Sequence, residues 1–246
     1  MLLAVDLTVS DDDEKASSSM NAALTDTPPI LNFGDLLPGD VLLYRPLSPN
    51  KNEERISKVT DSPYTHAAIY LGANKIAEAI TPDGVMINPL DTSLDGSMYA
   101  AVMRSQYVWG PERVAKLIEF AQNVAEAGVP FHRRGLVCFS EVSQSFFDKQ
   151  LAIVSAKYGE FKTVEQLAAG SYFCSGFVTA CYEAVGIIDE TAQVAYPAEV
   201  YSPKHLYEDP TFGWLLGYLV PPGASIPSDD PTLTVTRWVD IDALPD

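Results

Sequence analysis

Two short apolar runs, HAAIYLG at 66–72 and KIAEAI at 75–80, meet at Gly72-Ala73-Asn74, which marks a β-hairpin. A hairpin dictates which side chains meet, because residues alternate between faces along each strand and directly opposed residues share a face. A three-residue turn at 72–74 opposes Leu71 to Lys75, Ala68 to Glu78 and His66 to Ile80. His66, Ala68, Glu78 and Ile80 then line one face. Glu78 is diagonal to His66, a backbone separation of about 7–8 Å that two long side chains can close. The small Ala68 leaves room for the carboxylate to lean over. A turn one residue shorter would send Glu78 to the other face. An imidazole held by a carboxylate at one nitrogen can present the other to a nucleophile.

The candidate nucleophile stands in YFCSGFVTACYEAVG, 172–186. Phe177, Val178, Cys181 and Val185 recur at helical spacing and Gly186 ends the pattern, so Cys174 falls in the first helical turn. There a thiol feels the positive end of the helix dipole and unpaired backbone N–H groups, both of which favour thiolate. The same N–H groups can receive an oxyanion without reorganising. Ser175 and Gly176 keep the position uncrowded. Free cysteines ordinarily just pack in cores, and that is the expectation for Cys181 on the apolar face and for Cys138 inside LVCF. Of the other histidines, His205 in SPKHLYED reads as a surface helix residue. His132, beside two arginines, reads as a surface or substrate-contacting one.

The remaining pattern places these pieces in one domain. Residues 1–33 read as an acidic mobile arm centred on SDDDEKASSS, residues 34–222 as the folded domain, and 223–246 as an extension with a possible strand at LTVTRWV. DVLLYR, GVMINPL, YAAVMR and FGWLLGYLV are expected strands. NEERISKVT, TVEQLAAG and SPKHLYED are short helices. PERVAKLIEFAQNVAEAG is a helix over 111–128, with Pro111 in its first turn, Gly128 at its stop, and Val114, Leu117, Ile118, Ala121, Val124 and Ala125 facing the core. GLVCFSEVSQSFF is expected as a mostly buried helix, with a strand as the alternative. Contiguous strands with flanking helices make an α+β domain, an antiparallel sheet packed against helices.

Composition narrows the functions. Lys and Arg number 16 against 33 Asp and Glu, a formal charge of −17, which repels phosphate backbones and anionic lipid heads and so argues against nucleic acid. Lacking a run of about 18 apolar residues, the chain is not expected to insert stably in a membrane. Its start has no basic leader and Asp6 breaks the apolar stretch. The expectation is a cytoplasmic protein, or one exported without a signal peptide. Three cysteines make no disulfide framework, and the absence of paired Cys-x-x-Cys spacing leaves no zinc signature. No metal or cofactor is expected.

THAAIYLGANKIAEA and SYFCSGFVTACYEAVG together resemble the two signature blocks of the NlpC/p60 superfamily of papain-like cysteine hydrolases. The histidine block comes first here, which resembles the circularly permuted branch that includes YiiX-like proteins and relatives of lecithin retinol acyltransferase. PGDVLLYRP, AGVPF and SPKHLY…GYLV are similar to that branch too, over about residues 35–221. The resemblance implies a papain-like fold with Cys174 as nucleophile, His66 as base and Glu78 as the orienting third residue. It implies a peptide or acyl-amide substrate, with bacterial cell-wall peptides foremost. An enzyme of that kind could be housekeeping, or a secreted antibacterial effector paired with an inhibitor or immunity protein. A lipid-directed thioesterase or acyltransferase, or a non-catalytic domain that kept the fold, are the alternatives. Phe173 stands where many unpermuted members carry Asp, which bears on peptide specificity. Ser175, Tyr64 and Tyr172, near Cys174 and His66 in sequence, are candidate oxyanion or substrate contacts.

Overall fold

A computed structural model describes residues 28–238. Most of the expected acidic arm and the last eight residues of the extension lie outside the described residues. Six strands form one antiparallel sheet in the order β4-β3-β2-β1-β5-β6: β1 (Val41–Pro46), β2 (His66–Gly72), β3 (Lys75–Ile80), β4 (Gly84–Pro89), β5 (Ser97–Arg104) and β6 (Trp214–Leu219). The helices are α1 (Lys51–Thr60), the single turn α2 (Leu90–Ser93), α3 (Pro111–Ala127), α4 (Arg133–Lys157), α5 (Val164–Ala168), α6 (Cys174–Ala184) and α7 (Pro203–Glu208). The chain is α+β, with the sheet packed against helices.

The larger core lies between the sheet and the helices α3 and α6. Ala67, Ile69, Ala77 and Ala79 from β2 and β3 meet Leu117, Phe120 and Val124 of α3 and Phe177, Val178 and Cys181 of α6. The aromatic rings of Phe120 and Phe177 stack at 6.2 Å. The other face of the sheet carries Tyr44, Ala68, Tyr70 and Ile76 in a smaller cluster, closed by Leu36, Leu90 and Leu94. Small residues at 67, 77 and 79 let the helices approach the sheet closely. They also fix which face each strand turns to the larger core.

Helix α3 matches its sequence pattern, with Gly110 and Gly128 at its ends and Gly128 left-handed at φ 62°. Phe120 joins its buried face, while Ile118 packs only partly. Helix α1 starts where expected because the Asn50 side chain accepts from the Asn52 and Glu53 backbone N–H groups. Two expectations need correction. The helix around GLVCFSEVSQSFF runs on to Lys157 and is largely solvated: Leu151 is 84% exposed, and Cys138 is half-buried rather than core. Good helix formers in DKQLAIVSAK extend it without needing a core. LTVTRWV, described as far as Trp238, makes no strand there: Leu233 and Thr234 end a 3-10 turn that starts at Pro231, and Arg237 makes a single bridge to Leu215.

Both terminal segments close the free edge of β6. Leu31 N–H donates to Tyr218 O, and Trp238 N–H to Leu215 O. The unpaired edge groups of an outer strand are thus satisfied, so residues 29–31 belong to the folded domain and not to a free arm. The C-terminal segment also buries Asp230, 1% exposed, which accepts from the hydroxyls of Tyr64 (2.8 Å), Tyr99 and Thr232 (2.5 Å) and from Arg45 Nη1 at 3.3 Å.

Candidate active site

The hairpin reaches the expected register by a different turn. Gly72 pairs with Lys75, so Ala73 and Asn74 alone form the turn, both left-handed at φ 50° and 58°. The turn is one residue shorter than expected, but a bulge between Tyr70 and Gly72 absorbs the extra residue. Ile69 faces Ala77, which puts Ala68 beside Glu78 as the longer turn would have done. Glu78 stays on the face of His66 because two departures cancel.

His66 opens β2 with its side chain 27% exposed, while that of Glu78 is 7% exposed. His66 Nε2–H donates to Glu78 Oε2 at 2.5 Å, and Asn88 Nδ2–H donates to Glu78 Oε1 at 2.9 Å. The Tyr44 ring packs against the imidazole at 5.4 Å between centroids, and its hydroxyl is anchored on Ser93 Oγ at 2.9 Å. With Nε2 occupied, Nδ1 is the nitrogen left for Cys174, whose thiol lies close enough to the ring for each group to shift the other's titration.

Helix α6 begins at Cys174 because Phe173 is extended, at φ −98° and ψ 170°. The first intrahelical bond runs from Phe177 N–H to Phe173 O, which leaves the preceding N–H groups of the first turn free of that ladder. The Ser175 and Ala67 N–H groups act on the sulfur and favour its charged form. Gly176 lets this end of the helix press on residue 198: a Cβ there would lie 2.6 Å from the Ala198 carbonyl oxygen.

The electrostatics follow from this packing. Burial by itself would push Cys174 up, but the His66 ring and the two N–H groups outweigh it and hold the thiol below its ordinary value. Burial would push His66 down, yet the Cys174 thiol and the Glu78 carboxylate raise it to about 10. Glu78 is held below the carboxylate range by His66 and Asn88 against its own burial. All three shifts favour the charged forms: thiolate, imidazolium and carboxylate. Cys181 differs only in surroundings: burial, then Glu183, pushes its thiol well up, and it is a core residue as expected.

Cys174, His66 and Glu78 line a cleft of about 910 Å³ between α1, the start of α4 and the sheet. Ile56, Val59, Ile80, Phe131 and Phe139 form an apolar wall, and Arg55 and Arg133 stand in it. The three other candidate contacts are used elsewhere. Tyr64 is fully buried with its hydroxyl on Asp230 and Thr232, drawn away by the C-terminal segment. Tyr172 donates to Leu167 O at 2.5 Å, holding α5. Ser175 Oγ–H donates to Tyr201 O at 2.8 Å, so only its backbone faces the sulfur. His205 is half-buried rather than a free surface residue. Its Nδ1 accepts from Ser202 N–H at 3.0 Å, and its ring stacks on Phe147 at 4.8 Å.

Sequence reasoning missed Asn88 and Tyr44. Both were within reach of strand pairing: Ile76 opposes Asn88 and Tyr44 opposes His66, so alternation puts both on the face of Glu78. Among the described residues no three His, Cys, Asp or Glu side chains converge as a metal-ligand set. No helix there is long and apolar enough to cross a membrane.

A cysteine at a helix N-terminus stands beside an antiparallel sheet that carries the histidine and its carboxylate, with the histidine strand first in the chain. No family model matches this sequence, and no curated protein matches it. Among solved structures it is similar to the crystal structure of metalloprotein yiiX from Escherichia coli O157:H7. The identity is 16% and the TM-score 0.39, over 81% of this chain and 96% of that one.

Proposed function

We propose that the protein is a thiol hydrolase that cleaves amide bonds through an acyl-enzyme on Cys174. The observation that carries this reading is His66, held by Glu78 on one nitrogen and coupled to the Cys174 thiol beside it, both lining one cleft. The thiolate attacks the carbonyl carbon and forms the C–S bond. Backbone N–H groups at the start of α6 receive the oxyanion, and His66 delivers its proton to the leaving nitrogen as the C–N bond breaks. Water then gives a proton to His66 and attacks the thioester, which frees the acid and expels the thiolate, restoring the thiolate–imidazolium pair. Glu78 and Asn88 keep the ring oriented through both halves, and no metal or cofactor enters the cycle.

For substrate, the sequence resemblance favours peptide amides, with bacterial cell-wall peptides foremost. In that setting the enzyme is either housekeeping or an exported effector neutralised by a dedicated inhibitor. The apolar wall formed by Ile56, Val59, Phe131 and Phe139 supports a second reading, hydrolysis or transfer of a fatty acyl group by the same nucleophile. Incubation with purified peptidoglycan and, separately, with phospholipid vesicles, followed by mass spectrometry, distinguishes them. Cys174→Ala is expected to abolish turnover and His66→Ala to cost about 10²–10⁴-fold. Full turnover by Cys174→Ala ends the proposal.

A further inference from the structure

A second cavity, of about 560 Å³, lies toward the other end of α6, between α4, the chain leading into α5 and residues 193–200. Phe146, Ile153 and Val200 give it an apolar side. Facing them is Glu183, nine residues beyond Cys174 and so about 14 Å further along the helix. Glu183 is 7% exposed, and among the described residues neither a hydrogen bond nor an ion pair reaches its carboxyl. A largely buried carboxyl without a close partner is costly to the fold, and the Lys162 charge offsets that cost only in part. Glu141, Glu160 and Glu199 line the same cavity, and so do Lys157 and Lys162, neither of which forms an ion pair with Glu183.

We propose that this cavity is a second binding site, one that takes a primary ammonium on an aliphatic stem. The ammonium sits on Glu183 and Glu199, and the stem lies along Phe146, Ile153 and Val200. The chemistry selects this class. Four carboxylates outnumber two ammonium groups around the cavity, which disfavours anions, and a largely buried carboxyl without a protein donor is completed by a compact cation with several N–H groups. The apolar side matches methylene groups, the way lysine stems lie along hydrophobic surface. A lysyl side chain of a peptide and a free alkylamine both present this ligand. Burial pushes Glu183 up to about 8 in the empty cavity, against Lys162 and with help from Glu199. Ammonium binding therefore displaces a proton into solvent and leaves the ion pair behind.

The test uses the full chain with Cys174 alkylated, so that the first cleft is blocked. The probes are Nα-acetyl-lysine methylamide and n-pentylamine, with n-pentanol as the uncharged control, followed by calorimetry or amide chemical shifts. Saturable binding of either amine and none of the alcohol is expected. The amide binding tighter points to a peptide, and the free amine tighter to a small metabolite. Glu183→Gln, which keeps the shape, should weaken binding at least tenfold, the loss of one charged hydrogen bond. Ile153→Trp, from half-exposed α4, should fill the cavity and abolish binding while circular dichroism stays native. Lys162→Ala should leave affinity unchanged or raise it. Equal binding by wild type and Glu183→Gln, or no saturable binding at all, overturns the proposal.

Discussion

Replacing Glu78 with Gln isolates the contribution of the carboxylate to the Cys174 thiolate. The substitution keeps the shape and one acceptor oxygen, so His66 Nε2–H still finds a partner. What disappears is the charge that the 2.5 Å bond carries between two largely buried groups. A hydrogen bond to a charged group is worth about 1.5–3 kcal/mol and a neutral one about 0.5–1.5, so the imidazolium loses roughly 1–1.5 kcal/mol. That amounts to about one pKa unit on His66, down from about 10. Because thiolate and imidazolium stabilise each other, the ion-paired form loses about tenfold against thiol and neutral imidazole. The new amide also meets the Asn88 Nδ2 donor, which must turn away. The assay is the pH dependence of iodoacetamide alkylation, read at Cys174 by peptide mass spectrometry, with Cys138 and Cys181 as internal references. In wild type, Cys174 is expected to react at pH values where an ordinary thiol is still protonated. In Glu78→Gln the rising limb should move up by about one unit, and the rate near neutrality should fall up to tenfold. A variant profile that superimposes on wild type would show that Glu78 does not act through His66, and the site would reduce to a cysteine–histidine pair.

Two further outcomes follow from the packing. Asp230→Ala removes the acceptor shared by Tyr64, Tyr99, Thr232 and Arg45, leaving buried donors and a cation unpaired; a loss of about 3–5 kcal/mol in urea denaturation is expected. Gly176→Ala gains about 1 kcal/mol of helix propensity but drives a Cβ to 2.6 Å from the Ala198 carbonyl, where overpacking costs about 1–3 kcal/mol. Net destabilisation and slower alkylation of Cys174 are expected, since the shift falls on the turn that aims the sulfur.

Periodicity and end signals along neighbouring residues determined a good deal by themselves. The alternation in HAAIYLG and KIAEAI set the hairpin, Pro111 and Gly128 bounded α3, and the spacing of Phe177, Val178 and Cys181 put Cys174 at a helix start. These are legible because each depends on residues a few positions apart. Only the tertiary structure decided the bulge at Tyr70–Gly72, which restores the face of Glu78 after a shorter turn. It alone drew the Tyr64 hydroxyl to Asp230, 166 residues away, brought Asn88 to Glu78, and buried Glu183 without a partner. Polar atoms settle on whichever partners the packed core leaves them. Such choices among distant groups leave no trace in local spacing.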